Sequence, residues 1–129
     1  MQELTVYSFS TENWSRPKAE VDALMAMFAH RIRVETPELL EEGVRMRFIG
    51  RREGVDPDLV SLMEWAEAET AHNTRITLFV AFNYGGRAEI VDAVQALVAE
   101  GTPADKITEK AIRSRLYAPD MPDPDLVVR

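Results

Sequence analysis

A chain of 129 residues, 46% hydrophobic and 29% charged, has the composition of one soluble globular domain with a single sizeable core. Its net charge of −7 gives no basic footprint for nonspecific nucleic-acid binding, although a few local arginines can still dominate a small phosphate site. With no cysteine, disulfides, thiolate catalysis and Cys-type zinc sites are excluded. No apolar run reaches membrane-spanning length and no basic-then-apolar leader opens the chain, so it reads as a cytoplasmic protein without a transmembrane segment.

Leu4 to Phe9 is apolar, β-branched or aromatic at most positions and predicts a buried strand. The chain then turns abruptly polar over Ser10-Thr11-Glu12-Asn13-Trp14-Ser15-Arg16 before Pro17. A helix should begin at Pro17 or Lys18, with Val21, Leu24, Met25, Phe28 and Ile32 forming one apolar stripe. It should end at Gly43, broken or kinked near Thr36 by Pro37. Val44 to Ile49 alternates apolar and basic residues, as a half-exposed strand does. Asp56-Pro57 starts a second helix that carries Leu59, Leu62, Met63 and Ala66 inward and ends near His72-Asn73.

Ile76 to Phe82 is apolar nearly throughout, so it should be a central parallel strand. It runs through Asn83-Tyr84-Gly85-Gly86-Arg87 into a third helix. A short helix near Thr108, a rigid Met121-Pro122-Asp123-Pro124 connector and a last strand over Asp125 to Arg129 complete the pattern. The order implies an α/β fold, a mostly parallel sheet with helices on both faces. Because the chain begins in one predicted strand and stops in another, the expectation is a piece of a longer fold.

In such a sheet ligands bind at the carboxyl ends of strands. Ser10 to Arg16 offers neutral hydrogen bonds, an indole wall and a guanidinium fork, a composition suited to an anionic, partly apolar ligand. Asn83 to Arg87 belongs to the same predicted edge, but it lacks the spacing of a dinucleotide fingerprint or a P-loop and on its own reads as a tight turn. Arg129, at the end of the last predicted strand, would add a second cation there, and two guanidiniums suit a diphosphate. Asp120, Asp123 and Asp125 read as a solvated connector, since the interleaved prolines separate their carboxylates. His30 and His72 lack metal-type spacing, and Glu64, Glu67 and Glu69 make a solvated helix face.

Ser10 to Pro17 with Glu20-Val21, Phe48-Ile49-Gly50, Asn83 to Arg87 with Glu89-Ile90, and Asp125 to Arg129 occur in an order and spacing that closely resemble the cis-prenyltransferases, the undecaprenyl diphosphate synthase family. The resemblance implies a homodimeric α/β enzyme that condenses isopentenyl diphosphate with an allylic diphosphate to make a polyprenyl diphosphate, a membrane-associated lipid. It also implies Mg2+. Carried over by position, Ser10, Thr11 and Glu12 lie at the substrate and Asn13 is the residue tied to proton removal. Trp14, Arg16 and Glu20 line or order the site, and Arg129 grips isopentenyl diphosphate. A carboxamide is a very poor proton acceptor, so a positioning role for Asn13, with the departing diphosphate taking the proton, is the easier chemistry. The resemblance places the growing lipid between the sheet and the long helix, with Ser8, Leu24, Met25, Phe28, Val44 and Ile76 as wall positions.

The family's Asp-Gly-Asn-Gly-Arg run and the segment beyond the Arg129 position are absent from these 129 residues. The metal ligands are therefore expected outside this chain, which reads as a single, incomplete domain over 1–129, inactive alone. Two other readings compete: a non-catalytic partner subunit, which has no need of Asn13, Trp14, Arg16 and Arg129, and a nucleotide-binding α/β domain, which would need a glycine loop where Ser10 to Pro17 has none.

Overall fold

The three apolar runs form a parallel sheet in the order β1-β3-β2, in a computed structural model that describes residues 1–129. Here β1 is Glu3–Ser10, β2 is Val44–Ile49 and β3 is Ile76–Tyr84. Helix α1 spans Lys18–Glu41, α2 Pro57–Thr70, α3 Gly86–Ala99 and α4 Glu109–Arg113. The chain divides into two compact units, Met1–Gly85 with the sheet, α1 and α2, and Gly86–Arg129 with α3 and α4. The parallel α/β sheet and the central place of the third strand agree with the sequence pattern.

In the first unit the core lies where α1 and α2 meet the sheet: Ile32, Met46, Val55, Leu59, Met63 and Ala66 are buried there with Phe9 and Phe82. Asp56 caps α2 by accepting the Asp58 N–H at 2.8 Å, and Pro57 takes the first helical position. Helix α2 stops at Thr70 rather than at His72-Asn73. The buried Thr70 hydroxyl donates to the Ala66 carbonyl and accepts the Met46 N–H, both at 2.8 Å, which locks the last turn to β2.

Two expectations for this unit are revised: α1 is not broken, and β1 is not buried. Helix α1 runs unbroken through Pro37. Proline removes one N–H from the ladder, but Ile32 and Thr36 are buried and Leu39 packs on the core, so anchors on both sides of Pro37 hold the helix together. Strand β1 is not buried: Leu4, Val6 and Tyr7 are 41%, 37% and 61% exposed. Strand β2 is an edge strand too, but α1 and α2 pack on it, whereas neither helix packs along β1; of β1 only the carboxyl end, Phe9, reaches the core.

Phe9 arrives there by a bulge. Val6 and Tyr7 pair with Val80 and Ala81, but Phe9 then pairs with Phe82, leaving Ser8 as an extra residue. Alternation would have put Phe9 on the face of Tyr7; the extra residue turns it to the face of Val6. The next pair is Ser10 with Tyr84, so Asn83 is an extra residue on β3 that restores the register. Asn83 is also the non-glycine residue with positive φ, at 52°.

In the second unit Ala93 and Leu97 of α3 are buried. The Tyr117 N–H donates to Glu89 at 3.0 Å and its hydroxyl to Asp92. Arg115 grips Glu100 through two bonds of 2.8 and 2.7 Å, and those hydrogen bonds hold the Glu100 carboxyl below its usual range. Thr108 caps α4 by accepting the Ala111 N–H at 3.1 Å. The strand expected over 125–129 does not form, and those residues are exposed coil. Strands need a ladder partner, and Pro122 and Pro124 remove two donors just before it.

Gly50 closes β2 with φ 135°, and a Cβ there would stand 1.8 Å from the Phe82 carbonyl oxygen. Gly50→Ala should therefore destabilise the fold by about 3 kcal/mol or more in urea denaturation. Gly54→Ala, at φ 80° with open space around it, should cost only about 1 kcal/mol.

Candidate active site

Beyond the bulge, Thr11–Ser15 winds into a 3₁₀ turn before α1 begins. The Asn13 side chain folds back over its start: Oδ1 accepts the Ser10 N–H at 2.8 Å and the Ser10 hydroxyl at 3.0 Å. Those two donors fix which way the carboxamide points. Its oxygen is saturated, and its NH2 end makes no hydrogen bond within the chain. Asn13 thus presents donors outward, the arrangement an anion requires and a base does not. Ser15 steadies the turn by donating its hydroxyl to the Glu12 carbonyl at 2.8 Å. Thr11 is half-buried beside it.

Arg16 sits where the turn ends and pairs with Glu20 one helical turn on, both about half exposed. An exposed i,i+4 pair of this kind contributes only about 0.3–0.5 kcal/mol. A bidentate guanidinium–oxyanion contact is stronger, so the Arg16–Glu20 pair is one that an oxyanion could displace. Pro17 caps α1 without a side-chain acceptor, which leaves the positive end of a 24-residue helix beside Arg16.

Trp14 is 38% exposed. Its Nε1–H donates to Asn83 Oδ1 at 2.7 Å, and its ring meets Phe9 edge-on at 5.2 Å. Phe9 stacks on Phe82 at 5.3 Å, and Phe28 from α1 stands edge-on to Phe82 at 5.0 Å. Each such pair adds about 0.5–1.5 kcal/mol beyond area burial, so the aromatic cluster is a rigid floor under the polar turn. Trp14 also walls a groove of about 510 Å³ with Val21, Met25, Leu59 and Leu62. Of the expected lipid-wall positions only Met25 lines this groove; Phe28 belongs to the aromatic cluster and Val44 is buried.

The geometry brings Ser10, Thr11, Glu12, Asn13, Trp14, Arg16 and Glu20 together on one turn and the helix start that follows it. It does not carry Arg129 to a strand end, because the strand meant to carry it is not formed. No group of three carboxylates or histidines converges anywhere in the chain.

The sequence places Asn83 at this edge only as part of a tight turn, without a role of its own, and does not single out Tyr7. Asn83, 4% exposed, accepts from Trp14 and donates Nδ2–H to the Arg51 carbonyl at 2.9 Å; an asparagine directly ahead of Tyr-Gly-Gly at a strand end was the available signal. Tyr7 donates its hydroxyl to the Tyr84 carbonyl across the bulge. Its partial burial, and then the nearby Glu12 carboxylate, push the phenol above its ordinary range.

A family model described as undecaprenyl diphosphate synthase (Prenyltransf) matches residues 1–129, the whole chain. The chain belongs to this family. It is 47% identical over 128 residues to an isoprenyl transferase of Thermotoga maritima, covering 98% of this chain and 55% of that protein. It is 50% identical over 130 residues to an isoprenyl transferase of Agrobacterium fabrum, covering 98% and 53%. Among solved structures, lavandulyl diphosphate synthase from Lavandula x intermedia, in complex with dimethylallyl diphosphate, matches with a TM-score of 0.84 at 28% identity, covering 94% of this chain and 54% of that one. A probable undecaprenyl diphosphate synthase from Campylobacter jejuni matches with a TM-score of 0.83 at 25% identity, covering 92% and 57%. The chain thus spans about half the length of the relatives it matches.

The raised Tyr7 ionisation gives a prediction. The proton stays on Tyr7 longer in the folded state than in the unfolded one, so this contribution to stability is complete below about pH 10 and is lost as pH rises through the folded value. In a tyrosinate absorbance titration, Tyr7→Phe should remove a component that ionises above the ordinary tyrosine range.

Proposed function

We propose that this chain forms the isopentenyl diphosphate side of a cis-prenyltransferase, which condenses isopentenyl diphosphate with an allylic diphosphate to extend a polyprenyl chain. The observation that carries the reading is the Asn13 carboxamide, held oxygen-inward by two bonds from Ser10 and donor-outward beside Arg16 at a strand-end turn. A diphosphate presents only acceptors, and this turn presents N–H donors and a guanidinium.

The chain's own residues then do three things. Arg16, released from Glu20, and the Asn13 NH2 group hold phosphate oxygens and fix where the isopentenyl double bond lies. Trp14 walls off water on the apolar side. C4 of the isopentenyl unit forms the new bond to C1 of the allylic partner as the allylic diphosphate leaves; the C2 proton then departs to that diphosphate, since Asn13 Oδ1 is already saturated. Ser10, Thr11 and Glu12 shape the turn around this centre. The protein acts as a homodimer, and Mg2+ takes its ligands from outside these 129 residues.

Calorimetry with isopentenyl diphosphate should show binding by the 129-residue chain, and Arg16→Ala should weaken it about tenfold. The same chain given farnesyl diphosphate, labelled isopentenyl diphosphate and magnesium should bind without sustained turnover. Unchanged affinity in Arg16→Ala would remove that residue from the reading.

Asn13→Asp separates the two roles for Asn13. The carboxylate is a far better base but replaces the outward donors with negative charge. Affinity should fall about tenfold or more, as much as in Asn13→Ala. Affinity and product yield equal to or above the parent's, in a longer protein containing this chain, would instead mark position 13 as the base.

A further inference from the structure

Asn83 is buried and left-handed, and both ends of its carboxamide are hydrogen-bonded. Its Oδ1 takes the Trp14 indole N–H at 2.7 Å, its Nδ2 donates to the Arg51 carbonyl at 2.9 Å, and its own carbonyl accepts the Arg51 N–H at 3.1 Å. Left-handed backbone favours glycine, so a one-residue bulge here costs least without a side chain. An asparagine at such a place is explained when its carboxamide is used. Holding the loop after β2 uses only the carbonyl and Nδ2. The remaining atom, Oδ1, reaches across to the Thr11–Ser15 turn. An indole N–H on a ring 38% exposed could be satisfied by water; a buried acceptor fixes both ring rotations instead.

From this we infer that Asn83 is a positioning residue: through Trp14 it sets the shape of the turn that receives isopentenyl diphosphate. The inference rests on the diphosphate reading of that turn. Trp14 cannot tilt away from Phe9 without giving up its bond to Asn83, and it is adjacent in sequence to Asn13, whose donors face outward. The central strand thereby dictates the orientation of a turn that follows a different, edge strand.

The chain has two tryptophans, Trp14 and Trp65, so Trp65→Phe makes Trp14 the sole indole reporter. In that background Asn83→Gly suits the left-handed backbone and removes both side-chain bonds. Asn83→Asp keeps an acceptor for the indole but loses the donor to the Arg51 carbonyl. Any general loosening of the fold therefore appears in both variants, while loss of the Trp14 bond appears only in the first. Expected for Asn83→Gly are Trp14 emission shifted to longer wavelength, stronger acrylamide quenching, and about tenfold weaker isopentenyl diphosphate binding by calorimetry. Asn83→Asp should keep the parent's emission and bind within about threefold of it.

Unchanged Trp14 emission in Asn83→Gly would overturn the inference. So would equal losses of affinity in the two variants, which would place the whole effect on the Arg51 tie. If the parent itself failed to bind isopentenyl diphosphate, the diphosphate reading would fall, and the emission comparison would still decide whether Asn83 holds Trp14.

Discussion

Two extra residues, Ser8 on β1 and Asn83 on β3, cancel each other within three rungs of the same ladder, and the carboxyl edge of the sheet is organised around them. The first turns Phe9 into the core, where it stacks on Phe82 and supports Trp14. The second puts a carboxamide where a strand residue would have carried only its side chain to one face. Between the two bulges the register returns to its original value, so the strands beneath keep their pairing while the edge above is reshaped. The close approach of Gly50 to Phe82 belongs to the same arrangement, because β2 ends against the backbone that the β3 bulge displaces.

The strength of the parts differs in a way that suits binding. Beneath the turn are aromatic contacts and buried, fully paired polar groups; no buried side-chain nitrogen or oxygen lacks a partner. On top are an exposed Arg16–Glu20 pair and a carboxamide with unused donors. Rigid support keeps the geometry fixed in advance, and the weak exposed pair can be broken at small cost.

Much of the fold is legible in the sequence because its signals are local and strong. Asp56-Pro57 marks the α2 start, the near-continuous apolar run of β3 marks a central strand, and the 3.6-residue stripe of α1 is plain. What misleads is set by distant parts of the chain. Pro37 is tolerated because of what packs on either side of it, and β1 is exposed because α1 and α2 pack on β2 instead. The strand expected at 125–129 has the right residues but no ladder partner. At the candidate site, residue types alone single out Ser10 to Arg16, since their chemistry is concentrated in seven positions. The direction of the Asn13 carboxamide and the reach of Asn83 depend on hydrogen-bond geometry, and Asn83 lies 69 residues from the indole it binds.

The parallel pairing of β1 with β3 has a consequence for the order of events as the chain is made. Glu3 pairs with Thr77, and α1, β2 and α2 are all synthesised between them. At about 5–20 residues per second, β1 waits roughly 4–15 seconds on the ribosome for β3. Helices and the β2 segment can gather earlier, but Trp14 has no acceptor until Asn83 emerges. The Ser10–Arg16 turn, made well before β3, is thus among the later parts to take its final form, and the aromatic and aliphatic residues of β1 stay without that partner for the interval.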